Sequence, residues 1–323
     1  MKGFVKAAAI AAAICTVATA ASAQAEYPTK PIRVIVGFSP GGPSDTISRV
    51  VGAKMGEILG QQVIVENRTG AGGQIATEFV ARSEPDGYTL LNTTTANAVN
   101  ETLSKTMTVK FGPDLVAVTP HAQTANVLVV HESLGPKNLK DFITLAKGKP
   151  GEIFYATAGR GSATHLTSEL FNMMAGTKLM AVHYRGGGDT IKDLLSGQVK
   201  VMFSSIAPVI NLIKERKLVG IATTGSQREP SLPDLPTVAE AGVPGFETYL
   251  WIGLAARAGT PKAILEKLAR ANAQAIAAPD VKDALAKLGF EPMASTPEQF
   301  DAFYRTERDQ WAKVVKETGM DKE

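Results

Sequence analysis

The chain has 323 residues, with 34 lysines and arginines against 31 aspartates and glutamates, and a formal net charge of +3 at pH 7. This near balance argues against a nucleic-acid binder or a polybasic membrane protein. Cys15 is the single cysteine, so the chain beyond it has no disulfide, thiolate nucleophile or cysteine metal site. Its length is enough for about two domains, each with its own apolar core.

The first 23 residues predict a secretory signal peptide. Two lysines precede an apolar stretch over residues 7–20, and Ala21-Ser22-Ala23 provides a small-residue cleavage site. We therefore expect an exported protein whose mature chain begins at Gln24. A lipid anchor on Cys15 is the alternative, although Ile14 is bulky for the usual processing site.

After this leader, apolar runs alternate with amphipathic segments. The runs at 32–38, 62–67 and 89–93 predict buried strands, and the segments at 44–59 and 73–81 predict helices between them. This order is typical of a parallel α/β unit. A strand at 126–130 leads into a second unit, with strands at 153–157, 179–184 and 199–203 and helices at 162–174 and 190–195.

A late strand is predicted at 249–255, followed by three helices. Proline and threonine at their starts and glycine at the ends of the last two mark their boundaries. The last helix carries an apolar stripe that we interpret as core packing. The stripe consists of Phe300, Phe303, Tyr304, Trp311, Val314 and Val315.

Three predicted strands are followed by a glycine-rich turn with small hydroxylated or acidic residues. The turns are Phe38-Ser39-Pro40-Gly41-Gly42-Pro43-Ser44-Asp45, Ala158-Gly159-Arg160-Gly161-Ser162-Ala163-Thr164-His165 and Tyr184-Arg185-Gly186-Gly187-Gly188-Asp189. Ligands of open α/β sheets bind beyond the carboxyl ends of the strands, where helix N-termini attract anions. We therefore expect a cleft that holds an anion at each end, with backbone approach at Gly42 and Gly161. Alternatively these are ordinary turns, and Ser44 only caps its helix.

Charged and titratable side chains in these turns have competing interpretations. Asp45 would repel an anion, so we assign it mainly to capping. Arg160 either forks onto a ligand carboxylate or is simply solvated, and His165 either donates to a ligand or satisfies a loop carbonyl. The four histidines lack metal-binding spacing, and no catalytic or phosphate-loop motif is present, so we expect no catalytic residues, metal or cofactor.

Ordered motifs along nearly the whole mature chain resemble the tripartite tricarboxylate transporter substrate-binding family, the Bug or TctC-type receptors. In this sequence they are Tyr27-Pro28, Lys30-Pro31-Ile32-Arg33, Phe38, Pro40-Gly41-Gly42, Asp45, Val65-Glu66-Asn67-Arg68, Gly70-Ala71-Gly72-Gly73, Pro85-Asp86-Gly87-Tyr88-Thr89-Leu90-Leu91, Tyr155-Ala156, Ala158-Gly159, Leu235-Pro236-Thr237-Val238-Ala239-Glu240-Ala241-Gly242 and Trp311-Ala312-Lys313-Val314-Val315-Lys316. The resemblance implies a periplasmic receptor that grips a carboxylate and delivers it to a membrane permease.

The resemblance and the turns together give a set of expected ligand-binding residues. They are Phe38, Ser39, Pro40, Gly41, Gly42, Ser44, Asp45, Thr94, Asn97, Gly159, Arg160, Gly161, Ser162, Ala163, Thr164, His165, Tyr184, Ser204 and Ser205. Many members of the family carry an acidic residue where this chain has Ser204-Ser205, and Arg160 and Asn97 also depart from the usual pattern. A cleft without that acid suits an ammonium group poorly. We expect an organic acid without an amine, carrying two carboxylates or an aromatic ring.

We therefore predict an α/β, two-lobed, type II periplasmic-binding-protein (Venus-flytrap) fold. Lobe one would comprise residues 26–125 and 250–323 and lobe two residues 126–249, with a hinge near 125–130 and 249–253. The expected partners are a small carboxylate and a permease, with no nucleic acid, and the protein is expected to be monomeric. An exported α/β hydrolase or isomerase is the first alternative, and a cytosolic regulator's effector domain is the second.

Overall fold

The computed structural model describes residues 27–184 and 187–320, and the side chains of these except for 187–189. The predicted signal peptide therefore lies outside the described residues, as do Arg185 and Gly186 of the third glycine-rich turn. Among the described residues, no helix combines the length and the apolar character needed to cross a membrane.

The strands join into one continuous sheet in the order β2-β1-β3-β9-β4-β7-β5-β6, with β8 and β10 also paired to β4. They are β1 (Ile32–Val36), β2 (Val63–Asn67), β3 (Thr89–Thr94), β4 (Leu115–Val130), β5 (Phe154–Thr157), β6 (Met180–His183), β7 (Val201–Ser205), β8 (Val219–Thr223), β9 (Tyr249–Arg257) and β10 (Glu291–Pro292).

Strand β4 connects two halves of this sheet. Its residues 115–125 pair with β9, whereas residues 126–130 pair with β7 and β8. We call β1, β2, β3, β9, β10 and residues 115–125 the first half-sheet, and β5 to β8 with residues 126–130 the second half-sheet. Only residues 126–130 were predicted as a strand. The earlier part contains Pro120 and polar residues, which the register shifts between 117 and 122 accommodate.

Helices cover both half-sheets, and the predicted helices are present with boundaries shifted by a few residues at most. They are α1 (Pro43–Leu59), α2 (Gln74–Ala81), α3 (Thr95–Leu103), α4 (Leu139–Gly148), α5 (Ala163–Ala175), α6 (Gly187–Leu195), α7 (Ile210–Lys214), α8 (Lys262–Ala277), α9 (Pro279–Lys287) and α10 (Pro297–Thr318). Helices α3, α4 and α7 were not predicted. The capping box of Thr296 and Gln299 starts α10, and Gly319 in the left-handed conformation ends it.

Helix α10 packs against both half-sheets. Phe300 and Tyr304 are buried with residues of the first half-sheet, whereas Trp311, Val314 and Val315 belong to the core of the second. The predicted apolar stripe is thus core packing, divided between two cores. The lobe boundaries remain a prediction, but the C-terminal part of α10 lies against the sheet assigned to the other lobe.

Candidate ligand-binding cleft

The carboxyl ends of the parallel strands in both half-sheets point toward the junction on β4. Strand β3 ends at Thr94 opposite Ile252 of β9, which pairs with Ala122, just before the junction. Strand β7 ends at Ser205 opposite Asn126, just after it. Because β1 is parallel to β3 and β5 is parallel to β7, the loops after these strands approach the junction from opposite sides.

The loop after β1 is braced by Asp45. Its carboxylate accepts the Gly41 N–H at 2.9 Å, the Asn67 amide at 2.9 Å and the Arg49 guanidinium at 2.8–3.1 Å. Asn67 also donates to the Phe38 carbonyl at 3.0 Å. Burial alone would raise the pKa of Asp45, but these hydrogen bonds outweigh burial and lower it. Asp45 is therefore a charged anchor for the loop.

The structure corrects the alternative in which Ser44 caps its helix. The N-cap of α1 is Gly42, with φ −75° and ψ 170° and no side-chain cap, so Ser44 does not cap the helix. Gly42 N–H instead donates to the Ser39 carbonyl at 3.3 Å, which tightens the turn together with Gly41 at φ +78°. Positive φ at Gly41 is the one position of this turn that requires glycine.

The loop after β5 is held by its own side chains. Ser162 caps α5 by accepting the His165 N–H, and Thr164 accepts the Ala158 N–H at 3.0 Å. Gly161 N–H donates to Nδ1 of His165 at 3.1 Å. With Nδ1 as the acceptor, the neutral ring carries its proton on Nε2.

His165 remains neutral over the physiological range. Burial, with smaller contributions from His183 and Arg160, lowers the pKa of His165 to about 3. The ring is 1% exposed and lies edge-on to His183, with the ring centroids 4.7 Å apart. His165 thus accepts a backbone N–H through Nδ1, and its Nε2–H is the remaining donor.

Other predicted residues have protein partners in the structure. The exposed Arg160 donates to the Met320 carbonyl just beyond the end of α10. The Tyr184 hydroxyl donates to Asp193 at 2.8 Å. The hydrogen bond between Arg160 and Met320 was expected under neither interpretation, since the alternatives were a ligand carboxylate and solvent.

The predicted residues after β3 and β7 are also engaged. Thr94 and Asn97 form the capping box of α3, with Thr94 N–H donating to Asn97 Oδ1 at 2.8 Å. Asn97 also donates to Thr77 at 2.9 Å. The buried Ser204 hydroxyl donates to the Ser205 carbonyl at 2.9 Å. These predicted residues lie at or just beyond the ends of β3 and β7, beside the junction on β4. Residues 204 and 205 are both serine, so neither provides a carboxylate.

Two helix starts keep unpaired N–H groups. The N–H groups of Ser44 and Asp45 in α1, and those of Ala163 and Thr164 in α5, have no acceptor within 27–184 and 187–320. Unpaired N–H groups and the positive end of the helix dipole make each start a site for an anion. The two starts belong to opposite half-sheets.

The loops of the two half-sheets meet through residues that sequence reasoning had not assigned to the site. A Cβ on Gly72 would lie 3.7 Å from the Arg160 carbonyl oxygen, and one on Gly161 would lie 3.0 Å from Asn100 Oδ1. Asn100 itself donates to the Gly72 carbonyl at 2.9 Å. From the sequence we interpreted Gly72 as part of a tight turn. Its presence in the family motif Gly70-Ala71-Gly72-Gly73 was the sequence feature that could have indicated a place near the site.

The described residues contain no group of three or more histidines, cysteines or acids arranged to hold a metal ion. What the arrangement offers is neutral donors and two positive helix ends, with the one acid of the two loops, Asp45, already paired. Each helix start can attract an anionic group.

The model of the tripartite tricarboxylate transporter family receptor, TctC, matches residues 47–320 of the chain. Protein BugT of Bordetella pertussis is 37% identical over 309 residues, which cover 95% of each chain. The solved structure of Rpa4515 from R. palustris with adipate has a TM-score of 0.84 and 33% identity, covering 91% of this chain and 98% of that one.

MatC from Rhodopseudomonas palustris, solved with bound malate, has a TM-score of 0.81 and 30% identity, covering 90% of this chain and 100% of that one. These similarities confirm the predicted α/β, two-lobed periplasmic-binding-protein fold. The chain belongs to the tripartite tricarboxylate transporter receptor family, the periplasmic solute-binding proteins of the TctC or Bug type.

Proposed function

We propose that this protein captures a small dicarboxylate without an amine between the loops after β1 and β5 and hands it to a membrane permease. The observation that carries the proposal is the pair of unpaired helix starts, at Ser44–Asp45 and Ala163–Thr164, on opposite half-sheets. Each start suits one carboxylate because it offers N–H donors and a positive dipole end.

Gly41, Gly42, Gly159 and Gly161 let the ligand approach because they lack side chains, whereas their own N–H groups have protein acceptors, and the hydroxyls of Ser39 and Ser205 complete the proposed site. Thr94, Asn97, Ser162, Tyr184 and Ser204 would shape it from behind, since their side-chain polar atoms have protein partners. We propose His165 as a neutral donor through Nε2–H. We do not include Arg160 among the ligand contacts, because it donates to the Met320 carbonyl.

The charge in the loops supports a ligand that lacks an amine. Asp45 is the only acidic residue in residues 38–45 and 159–165, and Arg49 and Asn67 occupy its oxygens. A buried ammonium group would find no free carboxylate in either loop. The structures with adipate and with malate are of relatives that hold dicarboxylates without an amine.

We further propose that the protein is exported, loses residues 1–23 and works as a periplasmic monomer. Cleavage after Ala23 fits the rule for small residues at signal-peptide sites. Intact-mass analysis of periplasmic protein is expected to give a chain starting at Gln24. Retention of a lipid-modified Cys15 would contradict this expectation and establish an anchored receptor.

A thermal-shift screen of organic acids tests the proposed capture. A ligand that binds only the folded protein stabilises it by about 2.7 kcal/mol at a hundredfold excess over its Kd. Succinate, malate or adipate is expected to raise Tm, and X-ray scattering should show a monomer that becomes more compact. Stabilisation without compaction would contradict closure of the lobes, and no shift with any dicarboxylate would contradict the ligand class.

The exported-enzyme alternative is tested on the same samples. A receptor returns its ligand unchanged, so each acid that raises Tm should be recovered intact after prolonged incubation with the protein. Conversion of any of these acids into a product, at a rate proportional to protein concentration, would contradict the receptor assignment. His165 would then be the first residue to replace, because it is the histidine of the two loops.

A further inference from the structure

Glu307 of α10 receives hydrogen bonds from both tryptophans of the chain. The indole N–H of Trp251 donates to Oε2 of Glu307 at 2.9 Å, and that of Trp311 donates to the same oxygen at 3.2 Å. The chain has two tryptophans in all. One carboxylate oxygen is therefore the common acceptor of both indoles.

The two indoles belong to different apolar cores. Trp251 lies in β9, pairs with Gln123 of the first half-sheet and packs edge-on against Phe300 with the ring centroids 5.6 Å apart. Trp311 is buried in the core of the second half-sheet. Residues 249–253, which include Trp251, form one of the two predicted hinge segments. Glu307 and Trp311 lie four residues apart in α10, so their bond is within one helix, and the Trp251 bond is the one that ties α10 to β9. Glu307 thus anchors α10, whose Trp311 packs in the second core, to the first half-sheet beside a crossing point of the chain.

Burying a carboxylate at this position costs free energy. Burial raises the pKa of Glu307, and the two indole bonds only partly offset that effect. A partly buried charge with two neutral donors stabilises a fold no better than an apolar side chain of similar volume. Packing alone therefore does not explain a glutamate at this position. A directional hydrogen bond that holds the two lobes relative to each other does.

We propose that Glu307 is a positioning residue that couples the two lobes, and that through this link it sets ligand affinity without touching the ligand. The Trp251 bond anchors α10 to β9 and so, through the packing of α10 on the second core, holds the lobes in the arrangement in which the Arg160–Gly161 turn meets Gly72 and Asn100. The effect on affinity rests on the proposed function. The effect on lobe arrangement does not, and is measured without a ligand.

The test uses the mature chain, which has no cysteine after the leader and so accepts two labels. Glu57→Cys and Lys178→Cys place nitroxides on exposed positions of opposite half-sheets for pulsed electron paramagnetic resonance. Without ligand, Glu307→Met and Trp251→Phe each remove the bond between α10 and β9, and each is expected to shift or broaden the distance distribution. The double variant should change it no further than either single variant, because both remove the same bond.

Glu101→Met is the matched control. Glu101 is also a partly buried carboxylate next to α10, but its partners, the Tyr304 hydroxyl at 3.0 Å and the Phe111 N–H, both belong to the first half-sheet core. It should leave the distance distribution unchanged. An unchanged distribution in both Glu307→Met and Trp251→Phe, or the same change in Glu101→Met, would overturn the coupling.

Calorimetry with adipate then measures the consequence for binding. The Kd of adipate is expected to rise about fivefold in Glu307→Met and in Trp251→Phe, the equivalent of one lost hydrogen bond. A normal Kd alongside an altered distance distribution would overturn the effect on affinity. No binding of succinate, malate or adipate to wild type would instead count against the proposed ligand class, and the label distances would still decide the coupling.

Discussion

Replacing Gly42 by leucine is expected to weaken dicarboxylate binding by about a hundredfold, or ~2.7 kcal/mol, while the protein stays folded. Gly42 precedes the first turn of α1, and its φ of −75° and ψ of 170° suit any residue before Pro43. A Cβ there would meet the Ser39 carbonyl oxygen at 3.3 Å and nothing closer. The leucine side chain therefore occupies space beside the unpaired N–H groups at the start of α1. Calorimetry measures the affinity.

Gly148→Leu is the matched control for this variant. Gly148 ends α4, has no positive φ, and a Cβ on it would meet nothing within 4 Å. Gly148→Leu should keep its free energy of unfolding within about 0.5 kcal/mol of wild type, as exposed substitutions usually do. Gly42→Leu, at a half-buried position, should remain folded. Normal affinity in Gly42→Leu would contradict a ligand-binding role for the loop after β1. Loss of folding would show that Gly42 is needed for the structure of the loop instead.

Aspartate is expected to bind about a hundredfold more weakly than succinate, because burying an unpaired ammonium costs several kcal/mol. The two ligands share a four-carbon diacid and differ by the amine. The nearest loop acid, Asp45, is held by Arg49 and Asn67, and Ser204 and Ser205 supply no carboxylate.

Malate separates the charge of the amine from its bulk. Its hydroxyl replaces the ammonium of aspartate at similar size, so it should bind within about tenfold of succinate if charge decides. Competition calorimetry at constant pH compares the three ligands on one sample. Aspartate that binds as tightly as succinate would contradict the argument, and equal weakening of malate and aspartate would assign the discrimination to steric exclusion.

The fold could be predicted from the sequence where local and global signals agree. The sequence predicted β1, β2, β3 and β5 within two residues. In β1 the signal was a largely apolar run, since a strand buried on both faces has few polar positions. The start of α10 followed from Thr296 and Gln299, whose capping box is a local interaction. Residues 115–125 were missed because their pairing with β9 depends on a distant segment and on register shifts.

The sequence predicted which loops form the candidate site, but not the role of each side chain in them. The residues 38–45 and 159–165 do start helices at the junction, as the repeated glycine-rich turns indicated. Sequence alone could not show that Arg160 reaches Met320, since 160 residues separate them. Gly161 looked equivalent to Gly42, yet it has φ +72° and a Cβ would meet Leu103 at 2.9 Å. A substitution there strains the loop itself, so it does not isolate ligand contact.

The central claim is that two helix starts on opposite half-sheets hold the two ends of one dicarboxylate. A crystal structure of the mature protein with succinate or adipate tests it most directly. One carboxylate should lie within about 3.2 Å of the Ser44 or Asp45 N–H, and the other within the same distance of the Ala163 or Thr164 N–H, directly or through one ordered water. A dicarboxylate bound elsewhere, with both helix starts left to solvent, would contradict the account.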